Sequence, residues 1–327
     1  MRHGPDDRCQ KLGQSDRPRI RGRFFMSHRR RVHPPEPAHG LFTMSKTASK
    51  TRRFAMVDVF ARTRFSGNPL PVVIDAEGLG TDDMMGITRW FNQSETTFLL
   101  PPRDPQADYR VRIFTLEREL PFAGHPTLGS CRVWLDQDGT PQGQDIIQEC
   151  GLGLLPVRAK DKLLNLAAPP LLRSGPVDED LYREIAGVLI LDASAIEEMV
   201  WADNGPGWIA VQLASAEEVL ALQPARHHHR RLEIGVVGPY PPGHEFAYEV
   251  RTFFSDAHGN LLEDPVTGSF NASAAQWQLQ SGRVNAPYLA HQGQCLGRSG
   301  CVHVSEADGE TWIGGEVQGI ITGTIIA

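Results

Sequence analysis

Two short stretches of this sequence place a glycine where an extended segment gives way to a helical pattern. The first reads Phe122-Ala123-Gly124-His125-Pro126-Thr127-Leu128-Gly129 and the second Val266-Thr267-Gly268-Ser269-Phe270-Asn271-Ala272-Ser273. Glycine lets a ligand come close to the backbone, and the first turn of a helix offers unpaired N–H groups at the positive end of its dipole. Two such turns facing each other would hold a small anion such as a carboxylate. Neither matches G-x-G-x-x-G or a P-loop, and Gly151-Leu152-Gly153 runs into Leu154-Leu155-Pro156, a poor dinucleotide turn.

Titratable residues stand next to these turns. His125 follows Gly124, Glu263-Asp264-Pro265 precedes the second turn, and Glu95 sits in Asn92-Gln93-Ser94-Glu95-Thr96-Thr97 between a helix end and a strand. Each also has a plain reading. His125 fits a helix cap, Asp264 a turn former before proline, and Glu95 a solvated loop carboxylate. His227-His228-His229 invites a metal, but three adjacent histidines cannot all face one ion on a regular helix or strand. No metal is expected.

The elements that must position these groups start near Phe54. Met56–Phe60 and Pro71–Ile74 read as strands, separated by the turn Ser66-Gly67-Asn68-Pro69. Thr81 reads as the N-cap of a helix whose Met84, Ile87 and Phe91 share one face. Thr96–Leu100 and Tyr109–Thr115 read as further strands. The second of these has a twin: Tyr248-Glu249-Val250-Arg251-Thr252-Phe253-Phe254 matches Tyr109-Arg110-Val111-Arg112-Ile113-Phe114-Thr115 at Tyr, Val, Arg and Phe, 139 residues later. Aligning Gly124 with Gly268 sets His125 opposite Ser269 and requires five extra residues in the second loop. An offset near half the folded length implies an internal duplication. The expected fold is α+β, with two similar halves and a cleft between them where ligands commonly sit.

Charge and cysteine content bound the function. Residues 1–53 hold 14 Lys/Arg against 4 Asp/Glu, whereas the rest hold 19 against 35. The expected folded part is acidic and a poor partner for nucleic acid. No run approaches about eighteen apolar residues, so no transmembrane helix is expected. Five cysteines without a C-x-x-C pair argue against a disulfide framework and for a reduced, cytoplasmic protein. Residues 1–53, rich in Arg, Pro, His and Ser, read as a disordered basic tail. The halves are placed at 54–170 and 171–327, with the last strand crossing back to the first half.

The set Phe65-Ser66-Gly67-Asn68-Pro69, Asn92-Gln93-Ser94-Glu95-Thr96-Thr97-Phe98, Glu119-Leu120-Pro121-Phe122-Ala123-Gly124-His125-Pro126-Thr127 and Glu263-Asp264-Pro265-Val266-Thr267-Gly268-Ser269 closely resembles the phenazine-biosynthesis PhzF-like family. Leu296-Gly297-Arg298-Ser299-Gly300 fits it too. The resemblance covers residues 54 to about 327. It implies the diaminopimelate-epimerase-like fold, each half a curved, mostly antiparallel sheet or barrel around a central helix. It implies a cofactor-independent isomerase, a homodimer, that moves a proton on a small carboxylate. Glu95 matches the proton-transferring residue, with His125, Asp264 and Ser269 as supporting catalytic groups. Ser94, Gly124 and Gly268 are expected to bind the substrate. Such a carboxyl can take and return a proton if a desolvated pocket raises its pKa.

Two positions depart from the family pattern. Phe270 replaces a small residue and implies a narrowed or reshaped pocket, and Leu116 stands where proline is common. Two other readings remain. A two-base racemase or epimerase on the same fold would carry a cysteine in each glycine turn, where this chain has His125 and Ser269. A non-catalytic anion-binding protein would need only the turns.

Residues 1–43 carry no apolar period to bury. Deleting them is expected to leave the melting temperature and the activity unchanged. A large fall in melting temperature would show that the segment packs on the core.

Overall fold

The computed structural model describes residues 49–327. Most of the expected tail therefore lies outside the described residues. Its last part is not tail, because Thr51, Arg52 and Arg53 open the first strand, β1 (Thr51–Val59). Arg52 is buried there because its guanidinium donates to the carbonyls of Asp75, Glu77 and Ala327. Arg53 pairs with Asp75 at 2.8 Å.

β1 pairs antiparallel with β2 (Asn68–Val73). In the turn between them the Gly67 N–H donates to Asp58, and a Cβ on Gly67 would stand 2.0 Å from the Val59 carbonyl oxygen. α1 (Thr81–Phe91) follows. Its cap is Gly80 rather than Thr81. Asp83 accepts the Gly80 N–H at 3.1 Å, and the Thr81 hydroxyl accepts from Arg112 instead. α1 is a crossover, so β3 (Glu95–Leu100) lies parallel to β2. β4 (Tyr109–Thr115) returns antiparallel, and the two-residue β5 (Glu119–Leu120) leads into α2 (Gly124–Asp136). β6 (Ile146–Cys150) runs parallel to β4, and β7 (Gly153–Lys160) and β8 (Leu163–Ala167) complete an antiparallel run.

After β9 (Arg173–Pro176) and α3 (Glu179–Leu189) the series repeats. β10 (Glu198–Asp203) and β11 (Trp208–Gln212) are antiparallel, and α4 (Ala216–Ala221) crosses to β12 (Glu233–Pro239), parallel to β11. β13 (Tyr248–Ser255) and β14 (Leu261–Asp264) lead into α5 (Gly268–Gln280). β15 (Tyr288–Gln292), parallel to β13, precedes β16 (Gly300–Ala307) and β17 (Glu310–Ile326). Strands β1, β2, β3, β4, β6, β7, β8 and β17 form a closed ring around α2. The second series is flanked by the chain that joins the halves: β8 pairs with β17, and β9, which follows it, pairs with β10.

The repeat extends to individual contacts. Arg112 on β4 forks onto Glu119 on β5, with both bonds at 2.6 Å. Arg251 on β13 forks onto Glu263 on β14 at 3.0 and 2.8 Å. Each glutamate stands five residues before its helix-opening glycine. The extra five residues of the second loop therefore lie in the β13–β14 hairpin.

α2 and α5 are buried on nearly every face, as central helices must be. Close packing surrounds Phe270, which is fully buried and meets Trp208 edge-on at 5.4 Å. A Cβ on Gly235 of β12 would stand 2.1 Å from the Phe270 ring. Gly235 supplies the space that the bulky residue occupies. Gly235→Ala is expected to destabilise the protein by about 1–3 kcal/mol through overpacking. The same change beside Phe270→Ala should cost little more than Phe270→Ala alone. Urea unfolding of the four proteins in the cycle measures the coupling, and additive costs would contradict it.

Candidate active site

α2 and α5 meet at their N-termini. A Cβ on Gly268 would stand 3.0 Å from the His125 backbone nitrogen, and one on Gly124 would stand 3.6 Å from the Gly268 Cα. The cap positions are Ala123 and Thr267, neither of which makes a side-chain cap bond, and neither first turn holds an acidic residue. Two positive helix ends thus converge without a protein anion in either first turn.

Glu95 is the first residue of β3 and His125 the second of α2. Their side chains meet, with His125 Nδ1 3.4 Å from Glu95 Oε2. Burial pushes Glu95 up to about 8, and Asp264 nearby adds like charge in the same direction. Burial holds His125 down to about 3, against the Pro69 carbonyl, which favours the charged ring. His125 Nε2 is buried with no hydrogen-bond partner in the protein.

Asp264 comes from the other half, at the end of β14. Its Oδ1 accepts from Asn68 Nδ2 at 3.2 Å and Ser94 Oγ at 3.4 Å, and its Oδ2 accepts from Thr267 Oγ1 at 2.5 Å. Burial raises it to about 6, with these three donors restraining the rise. The two carboxyl groups therefore fall on opposite sides of neutral pH. Behind Asp264, Gln292 Nε2 reaches the hydroxyls of Thr252 and Thr267, and Gln292 Oε1 accepts the Thr267 N–H and the Asn271 amide.

Ser269, the second residue of α5, mirrors His125 in position. Its hydroxyl accepts from Trp208 Nε1 at 3.0 Å and its carbonyl accepts from Asn204 Nδ2 at 2.8 Å. Indole N–H is only a donor, so the Ser269 hydroxyl hydrogen stays free to point elsewhere. Phe270 does not narrow the pocket, contrary to expectation. Its ring turns away into the buried core against Gly235 and Trp208, and it bears on the site by bracing Trp208.

The structure brings Glu95, His125, Ser94 and Asp264 together across the cleft, beside the Gly124 and Gly268 turns. Sequence reasoning missed Asn68, Thr267, Trp208 and Gln292. Asn68 and Thr267 lay inside noted motifs, whereas nothing local marks Trp208 or Gln292. The histidine run divides: His227 contacts the His258 carbonyl, while His228 meets Glu184, whose other oxygen pairs with Arg230. His229 also lies within this group.

A family model described as phenazine biosynthesis-like protein matches residues 57–319. The chain is 31% identical over 269 residues to an uncharacterised isomerase of Pasteurella multocida, covering 81% of this chain and 90% of that one. It is 32% identical over 224 residues to the trans-2,3-dihydro-3-hydroxyanthranilate isomerase of Pseudomonas aeruginosa, covering 66% and 76%. The crystal structure of a PhzF-family protein from Bacillus anthracis superposes with a TM-score of 0.71 at 20% identity, covering 85% of this chain and all of that one. No helix among the described residues is long and apolar enough to cross a membrane.

The raised Glu95 pKa has a stability consequence. The folded protein keeps this proton up to about 8, whereas an unfolded chain loses it near 4.5. The folded state holds the extra proton between those values, so stability falls as pH rises through the window and levels off above it. His125 acts with the opposite sign, its contribution being lost as pH falls from 6.5 towards 3. Glu95→Gln removes the Glu95 cost. The variant is expected to match wild type closely near pH 5 and to exceed it by on the order of a few kcal/mol near pH 8. Urea unfolding at both values is the measurement, and an equal gap at both would mean that Glu95 is not desolvated.

Proposed function

The chain belongs to the phenazine biosynthesis-like family and is an isomerase, and we propose that it moves a proton on a small carboxylate substrate with Glu95 as the transferring group. The single observation that carries this reading is a carboxyl group pushed up to about 8 beside two uncapped helix ends. A group with that pKa gives and takes a proton near neutral pH at little cost either way, so it needs no cofactor to do so.

In this reading the first-turn N–H groups of α2 and α5 receive the substrate carboxylate, and the Ser269 hydroxyl donates to it. His125, neutral at working pH, orients the Glu95 carboxyl. Asp264 stays charged near pH 7, with Asn68, Ser94 and Thr267 holding it in place. Its charge keeps Glu95 from ionising early.

A two-base mechanism built on cysteines finds no support in the geometry. The cysteine nearest the turns in sequence, Cys131, is fully buried in α2, and burial pushes its thiol up to about 12.

Glu95→Gln keeps the shape of the side chain but cannot ionise. It is expected to leave carboxylate-ligand affinity within roughly tenfold and to lower turnover by about 10²–10⁴-fold. Solvent deuterium incorporation into the substrate should fall in step. Wild-type exchange rates in the variant would remove Glu95 from the role and make His125 or Asp264 the leading candidate.

A further inference from the structure

The Leu296–Gly300 motif takes no part in the Glu95 cleft as described, yet it carries a serine in a distinctive setting. Ser299 is exposed, and its Oγ lies 2.9 Å from His291 Nε2. The other ring nitrogen, Nδ1, lies 3.1 Å from Glu249 Oε2. His291 is 7% exposed and Glu249 is fully buried. We propose that Ser299, His291 and Glu249 form a second, serine-type nucleophile site that takes acyl groups from small activated esters.

The proton positions follow from the partners. Tyr240 OH donates to Glu249 Oε2 at 2.7 Å and Gln294 Nε2 donates to it at 2.9 Å. Oε2 is therefore an acceptor. Tyr240 OH also lies 3.2 Å from His291 Nδ1, but its single hydrogen is directed at Oε2 over the shorter contact, so Nδ1 donates to Oε2. That leaves the Nε2 lone pair facing Ser299, whose hydroxyl donates to it. The ring is also held flat by Phe246, stacked at 4.3 Å. A nucleophile, a base and a group orienting the base thus stand in order.

Simple strand pairing does not require these residues. Glu249 and His291 face each other on parallel strands β13 and β15, and the corresponding pair in the first half, on β4 and β6, is Arg110 and Glu149. The duplicated half meets the same position with an ordinary pair of opposite charges. The second half replaces it with a carboxylate and an imidazole that reaches a surface hydroxyl.

In the step proposed, Ser299 Oγ bonds to the acyl carbon and its proton passes to His291 Nε2. The ester C–O bond breaks, and His291 returns the proton to the departing alkoxide, releasing the alcohol. Water later cleaves acyl-Ser299 to the free acid and the serine. The backbone N–H groups of Arg298 and Ser299 are already spent on the Gly293 and Ser66 carbonyls. They are not free to stabilise an oxyanion, a contribution commonly worth about 10²–10³-fold. Acylation should therefore reach about one equivalent, with slow release.

The test uses the full chain with p-nitrophenyl acetate. The expected result is a burst approaching one p-nitrophenol per chain, with the acetyl group mapped to Ser299 by peptide mass spectrometry. Ser299→Ala, a change at an exposed position, should abolish the burst. His291→Asn should slow it by about 10²-fold, the usual worth of a general base. Because His291 is buried, Ser299 acetylation in the native chain is also compared with that in urea-unfolded chain, where the network is gone. Acetylation of Ser299 no faster in the native chain than in the unfolded one, or a burst that survives Ser299→Ala, overturns the proposal.

Discussion

Two helix N-termini pressed against each other are the constraint from which the rest of the site follows. α2 and α5 converge within van der Waals distance at Gly124 and Gly268. A side chain at Gly268 would crowd the His125 nitrogen, and acidic caps would occupy the space between the helix ends. Without caps, the positive ends face a buried cleft in an otherwise acidic chain. Each helix is enclosed by strands, which lets so much of its surface be buried and removes water from the groups around its tip. The same enclosure neutralises Glu95 and His125. Their opposite pKa shifts have one cause: burial disfavours charge on either group.

The duplication supplies the frame, and its breaking supplies the chemistry. The paired strands, the crossover helices and the Arg112–Glu119 and Arg251–Glu263 forks recur in both halves. By strand register Glu233 is the counterpart of Glu95: Glu95 faces Thr115 across β3–β4, and Glu233 faces Phe254 across β12–β13. Glu233 is also raised by burial, to about 7, but Arg231 holds it with two bonds to one oxygen. The register likewise sets Leu120 opposite Asp264, since Ile113 faces Leu120 and Thr252 faces Asp264. His125 and Ser269 differ in the same way. Only one of the two symmetric positions therefore combines a half-buried glutamate, a histidine and a second carboxylate.

Support for the site reaches well into the buried interior of the second half. The Gln292, Thr252 and Thr267 groups form a chain that ends on Asp264, and Thr267 also donates its N–H to Gln292. Trp208 joins the packing of Phe270 to the Ser269 hydroxyl. These contacts link the size of a core residue to the orientation of a site residue without placing that core residue in the cleft.

Short-range features were legible in the chain itself. The glycine turns, the strand twins, the half-length offset and the motifs around Glu95, His125 and Asp264 are local patterns, and local patterns survive being read one segment at a time. The α+β duplication followed from them. Other features depend on segments far apart in sequence. Thr51–Arg53 looked like charged tail because the carbonyls that bury Arg52 come from Asp75, Glu77 and Ala327. Phe270 looked like a pocket residue because the space it fills is made by Gly235, thirty-five positions earlier. Thr81 lost the cap to Gly80 because Asp83 and Arg112 compete for the groups there. The pKa of Glu95 and the role of Asn68 were decided only when the two halves closed on each other, and the Trp208 bond to Ser269 only when distant segments of the second half packed together. Desolvation and hydrogen-bond partners are properties of that closed arrangement, and no single stretch of sequence contains them.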